Sequence, residues 1–350
     1  MISGKVLLYG SYGYTGQLIA DVCLRENISV ILSGRDEEKL RLQSRKTGYP
    51  FQVCLLDEKE ALRNLVSRAK VVIHCAGPFQ YTAEAMAQAC LDTGVHYTDI
   101  TGEYRVFELL AGYDEPARQR GIMIMPGTGF DVVPTDCLAV FLKQRLPDAT
   151  HLQLAFAALK GGISRGTRKT MIEGLGYDGM IRQNHALVPT RPGDKIQEVN
   201  FGPFTSTALC IPWGDISTAW RSTGIPNIEV YAAASPAMIR WARRSRHLAP
   251  LLRNKWVKKI LLRQADNPAR NPDPEKLRTG RSYIWGKVWN ERGDTVEARL
   301  ETLNGYLLTA ETSVRIAQKI LKGHLIPGYQ TPARVYGADF ILEINGTVRH

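Results

Sequence analysis

The chain has 350 residues, 44% of them hydrophobic and 23% charged, with a net charge of +11. That balance excludes a disordered or fibrous chain and leaves room for two globular domains, and no apolar run approaches the length of a membrane span. Six cysteines (Cys23, Cys54, Cys75, Cys90, Cys137 and Cys210) without a C-x-x-C pair, and seven histidines without ligand spacing, argue against a disulfide framework or a metal site.

Residues 5–35 read as strand, glycine turn, helix, strand. Val6 to Tyr9 is a short buried run. Gly10, Gly13 and Gly16 then space a G-x-x-G-x-x-G turn around Ser11, Tyr12, Tyr14 and Thr15, and Gln17 to Arg25 is apolar at helical spacing. A dinucleotide site needs a tight turn, close approach of backbone to the pyrophosphate and a helix packed near the strand, and each demand removes a side chain. The helix N-terminus then faces the phosphates. The next strand ends in Ser33-Gly34-Arg35. Arginine at this point accommodates a ribose 2′-phosphate, with Ser33 as a second donor, so NADPH is expected over NADH. Asp36 is either the cap of the following helix or a ribose carboxylate.

Phe51 to Leu55 is a third strand. Asp57 beyond it either lies near the adenine or caps the helix from Lys59 to Arg68. Lys70 to Cys75 is a fourth strand ending in Ala76-Gly77-Pro78-Phe79, which should border the cofactor ribose or nicotinamide. Thr82 to Thr93 is a helix closed by Gly94. His96 to Ile100 is a strand carrying Tyr97 and Asp99 and leading to Thr101-Gly102-Glu103, a polar strand end of either functional or helix-starting character. Ile122 to Met125 leads to Pro126–Asp131, a loop with Phe130 expected over the nicotinamide. The N-terminus runs directly into the first strand, so no signal peptide and a cytoplasmic location, with or without peripheral membrane attachment, are expected.

Several motifs together resemble the saccharopine dehydrogenase-like oxidoreductases, and among them the trans-acting enoyl reductase branch. They are GSYGYTG at 10–16, HCAGPF at 74–79, GVHYTDITGE at 94–103, GTGFDVVPTD at 127–136, GGISRGT at 161–167, GDISTAWRSTGIPNIEVY at 214–231 and TPARVYGADF at 331–340. Tyr12 departs from the small or hydroxyl residue usual in that family. The resemblance implies a Rossmann-type doubly wound parallel sheet that binds NADP, with a second α+β domain inserted before C-terminal helices that return to the first domain. The expected boundaries are 1–135, 150–305 and 306–350.

In the second domain, Leu152 to Ala158 is a strand and 161–167 opens a helix to about Arg182. Ser164 or Thr167 caps that helix, or else Arg165 and Arg168 join its N–H groups in an anion or substrate site. Strands at Ser206–Ile211 and Ile228–Ala232 flank a loop from Trp213 to Pro226, and Ser282–Asn290 with Thr295–Leu303 form a hairpin. By analogy such a sheet builds a homodimer interface. Residues 235–285 hold 13 Lys and Arg against 3 Asp and Glu. Leu248, Leu252, Trp256 and Ile260 recur every four residues among the cations, which suits a packed helix with a solvated basic face, an acidic carrier protein or an anionic membrane. Charge this local argues against a nucleic-acid surface.

The leading expectation is NADPH-dependent reduction of a conjugated C=C bond in a small-molecule or carrier-bound acyl substrate. Tyr97, Asp99, Glu103, Asp131 and Tyr177 are the groups that could supply or position a proton, with no order among them. The alternatives are reduction of an imine formed from an amine and an oxo acid, or a non-catalytic NADPH sensor at a lipid surface.

Overall fold

A computed structural model describes residues 4–159, 164–265 and 273–350. The chain divides into two units, one of Met1–Val133 with Tyr306–Tyr336 and one of Pro134–Gly305 with Gly337–His350.

The first unit is built on strands β1 (Val6–Tyr9), β2 (Val30–Gly34), β3 (Phe51–Val53), β4 (Val71–His74), β5 (His96–Asp99) and β6 (Met123–Met125). Between them run helices α1 (Tyr14–Arg25), α2 (Glu37–Thr47), α3 (Lys59–Val66), α4 (Ala83–Thr93), α5 (Tyr104–Ala111) and α6 (Asp114–Gln119). The sheet order is β6-β5-β4-β1-β2-β3, every pair parallel, with Gly328–Tyr329 added beside β6. Both faces are covered, which is why β1, β2 and β4 read as continuous apolar runs and not as alternations. Leu7, Ile31, Val72, Met86, Tyr97 and Leu110 belong to one buried core. The chain winds outward from β1 to β3, returns to β4 on the other side of β1, and winds outward again. Ligands in such sheets bind where the winding reverses, at the carboxyl ends of β1 and β4. The long helix Gly305–Leu321 has ten buried residues, among them Leu308, Val314 and Ile316.

The second unit holds a mixed sheet ordered Ile196–Asn200, Thr205–Cys210, Asn227–Ala233, His151–Leu159, Arg281–Trp289, Thr295–Leu303 and Val348–Arg349. The expected hairpin is present, with Arg281–Trp289 and Thr295–Leu303 in antiparallel register. Phe201, Tyr231, Tyr283 and Trp285 fill a core on this sheet.

Several expectations are corrected. The helix opening near Ser164 runs only from Arg165 to Gly174; Gly176 takes φ +83, and a strand follows at Gly179–Gln183. The stretch expected as a loop from Trp213 to Pro226 contains the helix Asp215–Thr223, closed by Gly224 in the left-handed region. Residues after Tyr336 group with the second unit, because Val348 and Arg349 pair with Glu301 and Leu300. Gly161, Gly162 and Ile163 lie outside the described residues.

Candidate functional site

The register Tyr9↔Ser33 and Tyr9↔His74 places the turn after β1 between the ends of β2 and β4. Gly10 adopts φ +78, and a Cβ there would lie 2.9 Å from the backbone of Cys75 and Ala76. Its N–H donates to the Ser33 carbonyl at 2.8 Å, and Ser11 N–H donates to the same oxygen at 3.2 Å. Gly16 sits in the first turn of α1, where a Cβ would come within 2.6 Å of the Gly10 carbonyl and 2.7 Å of that of Ser11. Gly13 is the N-cap of α1 and makes no side-chain capping hydrogen bond, so the helix N-terminus faces the turn without a capping side chain. The Ser11 hydroxyl is buried without a hydrogen-bond partner among the described residues. This cradle fits a dinucleotide pyrophosphate.

At the end of β2, Arg35 is exposed, and its guanidinium has no hydrogen-bond or ion-pair partner among the described residues. Asp36 caps α2, accepting from Lys39 N–H at 3.2 Å and pairing with its ammonium at 2.5 Å. A ribose 2′-phosphate would therefore find the Arg35 guanidinium without a hydrogen-bond partner among the described residues, while Asp36 is turned to Lys39. Tyr12 lies over Gly34, where a Cβ would meet its ring at 2.5 Å, and its hydroxyl accepts from Arg35 N–H at 3.2 Å. The bulk of Tyr12 is thus accommodated by a glycine on the neighbouring strand. The Ser33 hydroxyl is buried and donates to the Gln52 carbonyl at 2.8 Å, while its carbonyl accepts from the turn. Asp57 is exposed, and Glu58, not Asp57, is the N-cap of α3.

The ends of β4, β5 and β6 account for the remaining candidates. Ala76, Gly77 and Pro78 form the turn after β4, while the Phe79 ring is buried in the core edge-on to His74. Both carboxylate oxygens of Glu103 accept N–H bonds, from Phe79 at 2.8 Å and Gln80 at 3.0 Å, so Glu103 pins this turn. Asp99 is fully buried and accepts from Tyr97 O–H at 2.6 Å, Thr101 N–H at 3.0 Å and Gly127 N–H at 2.9 Å. Burial outweighs those three bonds and lifts its carboxyl to about 6. Tyr97, also fully buried, has its hydroxyl committed to Asp99, and the Thr101 hydroxyl accepts from Glu103 N–H at 3.1 Å. Tyr97, Asp99 and Glu103 thus hold the loops at these strand ends, and the Phe79 ring packs in the core.

Asp131 is different. It is half-buried, and its carboxylate has no hydrogen-bond or ion-pair partner among the described residues. Its side chain crosses Gly102, where a Cβ would lie 2.6 Å from Oδ2, and desolvation raises it to about 7. Its loop is held by the helix Gly305–Leu321: Phe130 N–H donates to Thr309 Oγ1 at 2.9 Å, and Thr312 Oγ1 donates to the Thr128 carbonyl at 2.7 Å. Two residues went unmarked in the sequence. His74, the last residue of β4, is buried and kept neutral, its pKa lowered to about 3 by desolvation, with Nε2 3.0 Å from Thr82 Oγ1 and Nδ1 without a hydrogen-bond partner. Thr309 had no local signal at all. In the second unit, Ser164 caps its helix by accepting from Thr167 N–H at 3.2 Å, Arg165 is exposed, and the Tyr177 ring lies 5.3 Å from the Arg253 guanidinium and 4.7 Å from the Lys258 ammonium.

Residues 6–125, the stretch that carries this turn, match the family model of the saccharopine dehydrogenase NADP binding domain. The first unit thus carries an NADP-binding domain of the saccharopine dehydrogenase type. The chain is 27% identical over 212 residues to the saccharopine dehydrogenase-like oxidoreductase of Mus musculus, covering 53% of this chain and 49% of that protein. A lipid droplet localized protein of Caenorhabditis elegans is 30% identical over 49% of this chain and 44% of its own length. The trans-acting enoyl reductase of Mycobacterium ulcerans is 28% identical over 43% of this chain and 38% of its own. The match to these curated relatives thus spans about half their length or less. The apo saccharopine dehydrogenase (L-Glu forming) of Saccharomyces cerevisiae superposes with a TM-score of 0.67 at 10% identity, covering 97% of this chain and 96% of that one, which establishes a shared fold. Among the described residues, no group of His, Cys, Asp and Glu is arranged to hold a metal ion, and no helix is long and apolar enough to cross a membrane.

Proposed function

We propose that this saccharopine dehydrogenase-like protein is an NADPH-dependent reductase of a conjugated C=C bond in an acyl or lipid-like substrate, with Asp131 as the proton donor. The observation that carries the reading is Asp131 itself, a half-buried carboxyl raised to about 7 at the carboxyl end of β6. Among the acids and phenols of the first unit's strand ends, Tyr97, Asp99 and Glu103 have their polar atoms committed to holding turns. The trans-acting enoyl reductase among the relatives supports the substrate class.

Bound NADPH supplies a hydride. The Gly10–Gly16 turn and the N-terminus of α1 hold its pyrophosphate, and Arg35 pairs with its 2′-phosphate. A hydride so supplied would bond to the substrate's β-carbon, the C=C electron pair would move to the α-carbon, and that carbon would take a proton from this chain. Asp131 near pH 7 is populated both as acid and as base, which lets it deliver the proton and be reprotonated from solvent. Gly102 leaves the room that the carboxyl occupies.

The test is NADPH oxidation, followed by absorbance, with one pool of enoyl thioesters and another of oxo acids with amines. The reading expects turnover with the enoyl pool, a drop of about 10²–10⁴ in Asp131→Asn, and partial recovery in Asp131→Glu. Turnover confined to the oxo acid and amine pool would replace C=C by C=N reduction. NADPH binding without turnover of either pool would replace the enzyme by a binding module.

A further inference from the structure

Residues 236–265 contain nine Lys and Arg and no Asp or Glu. They form three helices, Pro236–Ser245, Ala249–Arg253 and Lys255–Ala265, with a short turn at Arg246–Leu248. An amphipathic helix that merely covers a core turns its apolar stripe inward and its cations outward. The helix Lys255–Ala265 departs from that pattern: Val257, Leu261 and Leu262 are only half-buried, and large apolar side chains stand outward beside its cations. Lys258 is the buried residue, 8% exposed, with its ammonium donating to the Glu173 carbonyl at 2.6 Å and 3.5 Å from the Glu173 carboxylate. Trp256 is 74% exposed and Ile260 56%. Their neighbours Lys255, Lys259 and Arg263 are exposed as well, and the Lys259 ammonium lies 5.5 Å from the Trp256 ring. The preceding helices repeat the arrangement: Ile239, Ala242 and Leu252 are buried, while Met238, Trp241, Leu248 and Leu251 stand about half exposed among arginines.

We propose that the outer side of 236–265 docks on an anionic lipid bilayer. Protein interfaces gather apolar side chains at a centre and set charge around the rim. Here large apolar residues alternate with cations along consecutive helices and have no common centre. A bilayer accepts that pattern, because each Lys or Arg stem can reach the headgroups while the adjacent Trp, Leu or Ile enters the acyl boundary. Aliphatic residues such as Leu248, Leu251 and Ile260 offer nothing to a nucleic-acid backbone, and the seven exposed cations, Arg240, Arg243, Arg244, Arg253, Lys255, Lys259 and Arg263, match anionic headgroups in sign. The surface stands independently of the reductase reading, since none of its residues belongs to the NADP turn.

Flotation of the full chain with phosphatidylcholine vesicles, with and without phosphatidylserine, at low and high salt, tests the proposal. The expected result is recovery only with phosphatidylserine vesicles, weakened by salt. Trp256→Ser with Ile260→Ser, and separately Lys255→Glu with Lys259→Glu, should each weaken binding by about tenfold or more. All four positions are exposed, and unchanged circular dichroism and NADPH affinity would confirm that the variants fold. Quenching of tryptophan fluorescence by brominated lipid should fall in Trp256→Phe. Absence of flotation, equal recovery on neutral vesicles, or flotation indifferent to both double variants would overturn the proposal. Binding to an acidic acyl carrier protein in place of vesicles would overturn it in favour of a protein partner.

Discussion

Asp131→Asn should stabilise the protein while it disables the reaction. In the folded chain the carboxyl is raised from its ordinary 3.8 to about 7, because its surroundings remove water without returning a hydrogen bond. At about 1.4 kcal/mol for each tenfold change in proton affinity, the charged form carries a penalty of up to about 4 kcal/mol. The group is only half-buried, and screening by water brings that to roughly 2 kcal/mol. The folded state binds the proton more tightly than the unfolded chain, so relative to a neutral side chain Asp131 costs nothing below pH 4, and its penalty grows as pH rises from there and is complete above about 7. Asparagine has no charged form to penalise. The variant should gain roughly 2 kcal/mol over wild type at pH 8 and close to nothing at pH 4. With a urea dependence of about 3 kcal/mol per molar, that is an upward shift of roughly 0.7 M in midpoint. Urea titrations of both proteins at the two pH values measure it, with transitions of the two units followed separately. An equal gain at both pH values, or a loss at pH 8, would refute the assignment of a desolvated, unpaired carboxyl.

The reductase rate should fall as pH rises above about 7, when Asp131 loses its proton, and a pH profile of kcat in the Asp131→Asn variant should lack that limb. Arg35→Ala should weaken NADPH by roughly 30- to 100-fold and leave NADH nearly unchanged, as fluorescence titration of both cofactors would record. Gly16→Ala drives a methyl group into the Gly10 and Ser11 carbonyls, and thermal unfolding should show a loss of about 1–3 kcal/mol together with weaker NADPH binding. Tyr97→Phe leaves Asp99 short of its 2.6 Å donor and should cost about 1–3 kcal/mol, with NADPH affinity altered far less than in Arg35→Ala.

The stretch from β1 to Arg35 was legible because everything that defines it is local: a buried run, glycines at fixed spacing, and an arginine at the next strand end. The part Asp99 plays in holding the Gly127 loop was not legible, for the opposite reason. A carboxylate at a strand end looks the same in sequence whether it meets a ligand or the backbone of Gly127, which is 28 residues away. The hold of Thr309 on Phe130 spans 179 residues and leaves no sequence signal. The hairpin of Gly179–Gln183 and Ala186–Thr190 was hidden by its own chemistry. Asn184 and His185 take φ of +49 and +67 without the glycine that usually marks such a turn, and Pro189 obscures the second strand. In 248–260 the four-residue period runs across a helix break at Asn254, with Leu252 buried and Leu248, Trp256 and Ile260 exposed, because periodicity in sequence marks neither a break nor which side faces the protein.

The strand Gly328–Tyr329 gives the first unit a history as well as an edge. Gly328 N–H donates to the Ile122 carbonyl at 2.8 Å and Gln330 N–H to that of Ile124 at 2.9 Å, so the flank of β6 is completed by chain made roughly two hundred residues after it. At about 5–20 residues per second, a ribosome takes about 10–40 s to cover that distance. Throughout that interval the nascent sheet presents the open rim of β6, the kind of edge on which neighbouring chains pair. Synthesis of the second unit thus sets the time for which that rim stays open.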